Sequence, residues 1–115
     1  MQQIVDLQNS PEYQALGVQV ISIARDSVME QAPEGQALGI TDVPLLSDPD
    51  LSVSAQYDVL QWAIENGEPS HTFVLVDETG KIVWIKDYGA PDNPNRTMYV
   101  SVDELVRYTK SNLNR

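Results

Sequence analysis

The sequence predicts an α/β fold, and three observations carry that prediction. Residues 71–87, His-Thr-Phe-Val-Leu-Val-Asp-Glu-Thr-Gly-Lys-Ile-Val-Trp-Ile-Lys-Asp, read as two strands rich in β-branched and aromatic residues around a tight turn. Val18–Ala24 is a further apolar run of strand type. Helical patterns stand before, between and after these runs, in the order helix, strand, helix, short helix, strand, strand, helix.

The hairpin is the best-marked element. His71–Val76 and Lys81–Lys86 flank Asp77-Glu78-Thr79-Gly80, and Gly80 supplies the positive φ that a short hairpin loop needs. Alternation sets Ile82, Trp84 and Lys86 on one side of the second strand, with Val83, Ile85 and Asp87 on the other. Phe73 and Leu75 face one side of the first strand and Val74 and Val76 the other. Both sides are apolar, so this strand is expected to be covered on both.

The N-terminal half is read from its stops and starts. Residues 1–9 hold Ile4, Val5 and Leu7 for a helical turn or two. Ser10 caps a helix with Pro11 at its first position, where the missing N–H costs nothing, and Gly17 ends it. Val18–Ala24 is expected to be buried on both faces. Asp26 and Ser27 cap a stretch ending near Gly39, which Pro33 and Gly35 are expected to break. Val43–Leu46 is extended, Ser47-Asp48-Pro49-Asp50 turns, and a short helix runs from Leu51 to about Tyr57. Leu60, Trp62, Ala63 and Ile64 are apolar before Asn66-Gly67-Glu68-Pro69 breaks the pattern.

The C-terminus is plainer. A loop with Gly89, Pro91 and Pro94 leads to a final helix. Ser101-Val102-Asp103-Glu104 has the form of a capping box, with two acids at the positive end of the helix dipole. Val102, Leu105, Val106, Thr109 and Leu113 form its inner stripe, and Lys110 and Arg115 lie near its negative end.

Composition narrows the function classes. With 115 residues and 42% hydrophobic content, one domain spanning 1–115 is expected. Seventeen acidic against seven basic residues give a net charge of −10, which repels nucleic acid and anionic membranes. There is no apolar run of bilayer length, and Met1–Asp6 lacks the basic flank of a leader, so a cytoplasmic protein is expected. The absence of cysteine removes disulfides, thiolate zinc sites and thiol catalysis together.

Several segments together resemble one family. Gly17-Val18-Gln19-Val20-Ile21-Ser22-Ile23, with Glu12–Leu16 before it, resembles the end of the first helix and the next strand of a peroxiredoxin. Thr41-Asp42-Val43-Pro44-Leu45-Leu46-Ser47-Asp48-Pro49-Asp50 is similar to the segment after that family's next helix. Thr72–Ile82 looks like its hairpin, and the likeness runs from about Tyr13 to Leu113. The family is the alkyl hydroperoxide reductase and thiol-specific antioxidant group, the redoxins. The resemblance implies a thioredoxin-like fold, here incomplete at the N-terminus, with a mixed sheet ending in a β-hairpin and a helix. It also implies reduction of peroxides or disulfides through a cysteine at the start of the first helix. No such cysteine, preceding strand or Pro/Thr loop is present, so no residue is assigned a catalytic role. The family's usual arginine, six residues before the hairpin aspartate, is replaced by His71. Thioredoxin relatives carry a cis-proline close by, and Pro69 stands two residues from His71.

The binding candidates near that position are therefore Pro69, His71 and Thr72. His71 is read first as a strand-end residue with a structural hydrogen bond, and second as a general base or polar contact. Asp48 and Asp50, with Asp42 nearby, are read as turn chemistry rather than a cation site, and no metal or cofactor is expected. Trp62, Trp84, Tyr57, Tyr88 and Tyr99 are candidate contact aromatics. The family's central strand is missing from between the strands at 18–24 and 71–76. Two closures are expected: direct pairing of those two strands, or a second chain, as a homodimer or a strand-completing partner. Two functions follow. One is a non-catalytic interaction module, and the other is the C-terminal part of a truncated or split redoxin.

Overall fold

The computed structural model describes residues 1–115 and divides the chain into two compact units, Met1–Asp58 and Val59–Arg115. No helix is long and apolar enough to cross a membrane.

The first unit contains α1 (Gln2–Gln8), α2 (Pro11–Gln14), β1 (Ser22–Ala24), α3 (Val28–Ala37), β2 (Leu45–Ser47) and α4 (Ser52–Gln56). Ser10 caps α2 through the N–H of Tyr13, with Pro11 at the first position. Ser27 begins α3 with a complete capping box: its hydroxyl accepts from the Glu30 N–H and the Glu30 carboxylate accepts from its own N–H, each at 3.1 Å. Ser27→Ala is expected to lower stability by about 1 kcal/mol, read as an earlier urea midpoint.

α3 does not break at Pro33 and Gly35. Pro33 deprives the Met29 carbonyl of a partner, but Met29 is 86% exposed and water can serve that turn. Gly35 sits where a Cβ would lie 2.8 Å from Leu45 Cδ1, so its bareness lets the helix settle on β2. Buried glutamines bind the unit together. Gln8 donates to the Gly39 carbonyl at 2.9 Å and accepts from the N–H groups of Thr41 and Asp42. Gln31 donates to the carbonyls of Asp26 and Leu46.

β1 and β2 pair in parallel, Ile23 opposite Leu46. The strand at 18–24 is shorter than expected, and its burial on both faces is corrected. Ile23 is 42% exposed and Leu46 45%, so this face of the two-stranded ladder is only partly covered.

The second unit contains a 3-10 turn (Val59–Trp62), β3 (Thr72–Val76), β4 (Ile82–Asp87) and α5 (Val102–Leu113). The hairpin turn is tied by Asp77, whose carboxylate accepts from the Thr79 N–H, the Thr79 hydroxyl and the Lys81 N–H. Gly80 takes φ 87° there. A bulge between Leu75 and Val76 sets Val76 opposite Ile82 while Leu75 stays opposite Trp84. Ile82 thus leaves the row of Trp84 and Lys86 that simple alternation gave it.

α5 covers one face of this hairpin. Leu105, Val106 and Thr109 are buried, and Tyr108 stacks on Trp84 with centroids 5.0 Å apart. Lys86 lies 4.9 Å from the ring centres of both Tyr88 and Tyr108. Ser101 caps the helix through the Glu104 N–H, which is one half of the expected box. The Tyr88 hydroxyl is buried without a hydrogen bond of good geometry. Burial first, and the nearby Glu104 carboxylate second, push its pKa upward. The opposite face of the hairpin carries Val76, Ile82 and Ile85, all exposed, so covering on both sides is likewise corrected.

Candidate functional site

The three candidate residues do not form one cluster. Thr72 points to Asp87, its cross-strand partner, and donates its hydroxyl to that carboxylate at 2.7 Å. Ser70 donates to the same oxygen, and the Ala90 N–H donates to the other at 2.8 Å. Asp87 is thus the hub, and neither it nor Ser70 was a candidate from the sequence. Burial pushes its carboxyl up, but the hydrogen bonds from Ser70, Thr72, Ala90 and Gly89 outweigh that, leaving the pKa below the usual value.

His71 takes the other side of the strand. Its ring meets the edge of Phe73 at 5.0 Å, and Phe73 meets Tyr88 at 5.8 Å. The His71 carbonyl accepts from the Tyr88 N–H at 2.9 Å. Burial lowers the imidazole pKa, and the Asp87 charge offsets only part of this. Pro69 precedes the strand, and every peptide bond in the chain is trans, including the one before it.

This arrangement is a structural lock. A nucleophile would need a base of suitable pKa beside it. Ser70 instead donates to a carboxylate whose depressed pKa makes it a weak base. Asp48 is also employed structurally: it is buried and accepts from the N–H groups of Val53 and Ser54 and from the Ser54 hydroxyl, capping α4. No group of three or more Asp, Glu, His or Cys converges anywhere in the chain. Trp84 and Tyr88 belong to the packing under α5, whereas Tyr57 and Tyr99 are exposed.

The strand edges complete the description of the two small sheets. Each strand has one hydrogen-bonded neighbour, in the orders β1-β2 and β3-β4. The Ser22 N–H bonds the Pro44 carbonyl, and the Ala24 carbonyl accepts from Asp48. That alternation turns the N–H and C=O of Ile23 outward. On β3 the bonded pair is His71 with Tyr88, so Phe73 and Leu75 also bond inward and the amide groups of Thr72 and Val74 face out.

The AhpC/TSA family model matches residues 2–85. Among solved structures, the reduced 2-Cys peroxiredoxin of Plasmodium vivax is similar at 24% identity with a TM-score of 0.72, over 96% of this chain and 66% of that one. Mycobacterium tuberculosis AhpC is similar at 19% identity with a TM-score of 0.73, over 96% and 59%. The mitochondrial 2-Cys peroxiredoxin of Plasmodium falciparum gives 21% identity and a TM-score of 0.70, over 96% and 64%. These likenesses establish the thioredoxin-like fold, and the chain spans less than two thirds of the length of each structure. No curated protein matches the chain.

Proposed function

Since the chain belongs to the AhpC/TSA family and contains no cysteine, we propose that it is a non-catalytic interaction module whose open strand edges are closed by another chain. The supporting observation is the outward set of amide groups at Ile23, Thr72 and Val74 on strands with a single neighbour. Family chemistry needs a thiolate that cycles through sulfenate or disulfide, and Ser, Thr and Met cannot do this. The purified chain is expected to consume no hydroperoxide with a thiol donor, and catalytic turnover would refute the reading.

Light scattering with amide hydrogen exchange tests the interaction itself. A species of twice 12.8 kDa with those amides protected identifies a second copy as the closing chain. A monomer in which they exchange freely leaves the edges available to a different chain. A monomer in which they are protected overturns the proposal.

The partial coverage of its structural relatives favours a second reading, the C-terminal part of a split redoxin. Mixing with a cysteine-bearing N-terminal piece separates the two, because only a split enzyme gains peroxidase activity.

A further inference from the structure

We infer that the free edge of β3 accepts an extended segment of a basic partner protein, apolar at alternate positions and flanked by Lys or Arg, adding to the hairpin as a third strand. This rests on the interaction-module reading and names the partner's chemistry.

The edge itself selects a strand. Thr72 and Val74 present two N–H and two C=O groups outward, enough for four ladder hydrogen bonds. Thr72–Val76 contains no charge, proline or glycine. Edge strands that stay edges are ordinarily guarded by such residues. β4 has these guards in Lys86 and Asp87, and β3 has none. A two-stranded hairpin is marginal alone, and α5 supports only one of its faces. An added strand would continue the row of Val74 and Val76 on the open face, beside exposed Ile82 and Ile85.

Charge selects the partner. Within the unit that holds β3, residues 59–80 contain four Asp or Glu and no Lys or Arg. Glu65 and Glu68 precede β3, and Asp77 and Glu78 follow it, with Lys81 the one base at that turn. The chain on either side of β3 is therefore acidic. A second copy would bring another −10 to a contact framed by carboxylates, whereas Lys and Arg flanks would neutralise them.

Three synthetic peptides test this against the full chain by NMR titration and hydrogen exchange. The first is Arg-Lys-Thr-Val-Thr-Val-Thr-Lys-Arg. The second replaces both valines with proline, keeping the charge but removing strand pairing. The third replaces every Lys and Arg with Glu. The first is expected to shift the Thr72 and Val74 amide signals and slow their exchange at least tenfold, with affinity that falls as salt rises. The other two are expected to bind at least tenfold more weakly. Glu65→Lys combined with Glu78→Lys, both exposed, is expected to weaken the first peptide about tenfold with an unchanged circular dichroism spectrum.

Equal binding of the proline peptide would reduce the effect to bulk charge attraction and overturn the inference. So would protection at residues away from β3, no binding of the first peptide, or self-association that protects Thr72 and Val74 with no peptide present. These failures are distinct from failure of the module reading, which falls only if the isolated monomer already protects its edge amides or turns over peroxide.

Discussion

Gly89→Ala is expected to lower the unfolding free energy by about 3 kcal/mol, near the upper end for a forced methyl group, and the melting temperature by roughly 10 °C. A Cβ at Gly89 would lie 2.8 Å from the His71 backbone nitrogen, 2.9 Å from Met98 Sδ and 3.0 Å from His71 Cβ. The methionine can move, but the strand backbone cannot do so without disturbing the Tyr88–His71 hydrogen bond beside it. The Gly89 carbonyl is also held, accepting from the Arg96 guanidinium at 2.6 Å. Gly35→Ala is the control. Its close neighbour is the far end of the Leu45 side chain, and a helical alanine regains about 1 kcal/mol of propensity, so little net change is expected. Urea unfolding of the two variants in parallel checks this, and equal midpoints would contradict it. A domain margin of about 5–15 kcal/mol makes the Gly89 loss a large fraction of the total.

Asp87→Ala is expected to cost about 2–3 kcal/mol at neutral pH. The Ser70 and Thr72 hydroxyls and the Ala90 N–H would all lose their acceptor. Hydrogen bonds to an ionised group are worth about 1.5–3 kcal/mol each when shielded, but Asp87 is only half-buried and part of this is returned by water. The cost should also depend on pH. Asp87 has a native pKa below its unfolded value of about 3.9. Its stabilisation is therefore complete above that unfolded value and is lost as pH falls through the native one. Urea midpoints measured from pH 7 down to pH 3 should show the gap between parent and variant narrowing on the acid side. A gap that stays constant would place the effect in packing rather than in the carboxylate.

Asp87 also shows where reading the chain alone stops. Counting back from the turn with Val76 opposite Ile82 would set Thr72 opposite Lys86 and His71 opposite Asp87. The bulge at Leu75/Val76 shifts the register by one, and Thr72 meets Asp87 instead. A one-residue slip exchanges the faces of a strand, so the lock of Ser70, Thr72 and Asp87 follows from the bulge. Pro33 offers the same lesson in a helix. Its rule predicted a break, but a continuous α3 with a capping box and a close seat on β2 outweighed one lost hydrogen bond.

The order of helices and strands apart from β2, which reads only as an extended segment, the serine caps at 10, 27 and 101, the Asp77–Gly80 turn, the family and the absence of cysteine were all legible from residue types. These depend on groups within a few positions of one another, or on a side chain that is simply absent. Tertiary structure decided which faces stay bare, where the hairpin bulges, and that Asp87 rather than His71 gathers the polar groups. Those outcomes depend on contacts such as Ser70 with Asp87, 17 positions apart. A pairing register and the presence or absence of a covering layer settle such contacts, and short-range pattern contains neither.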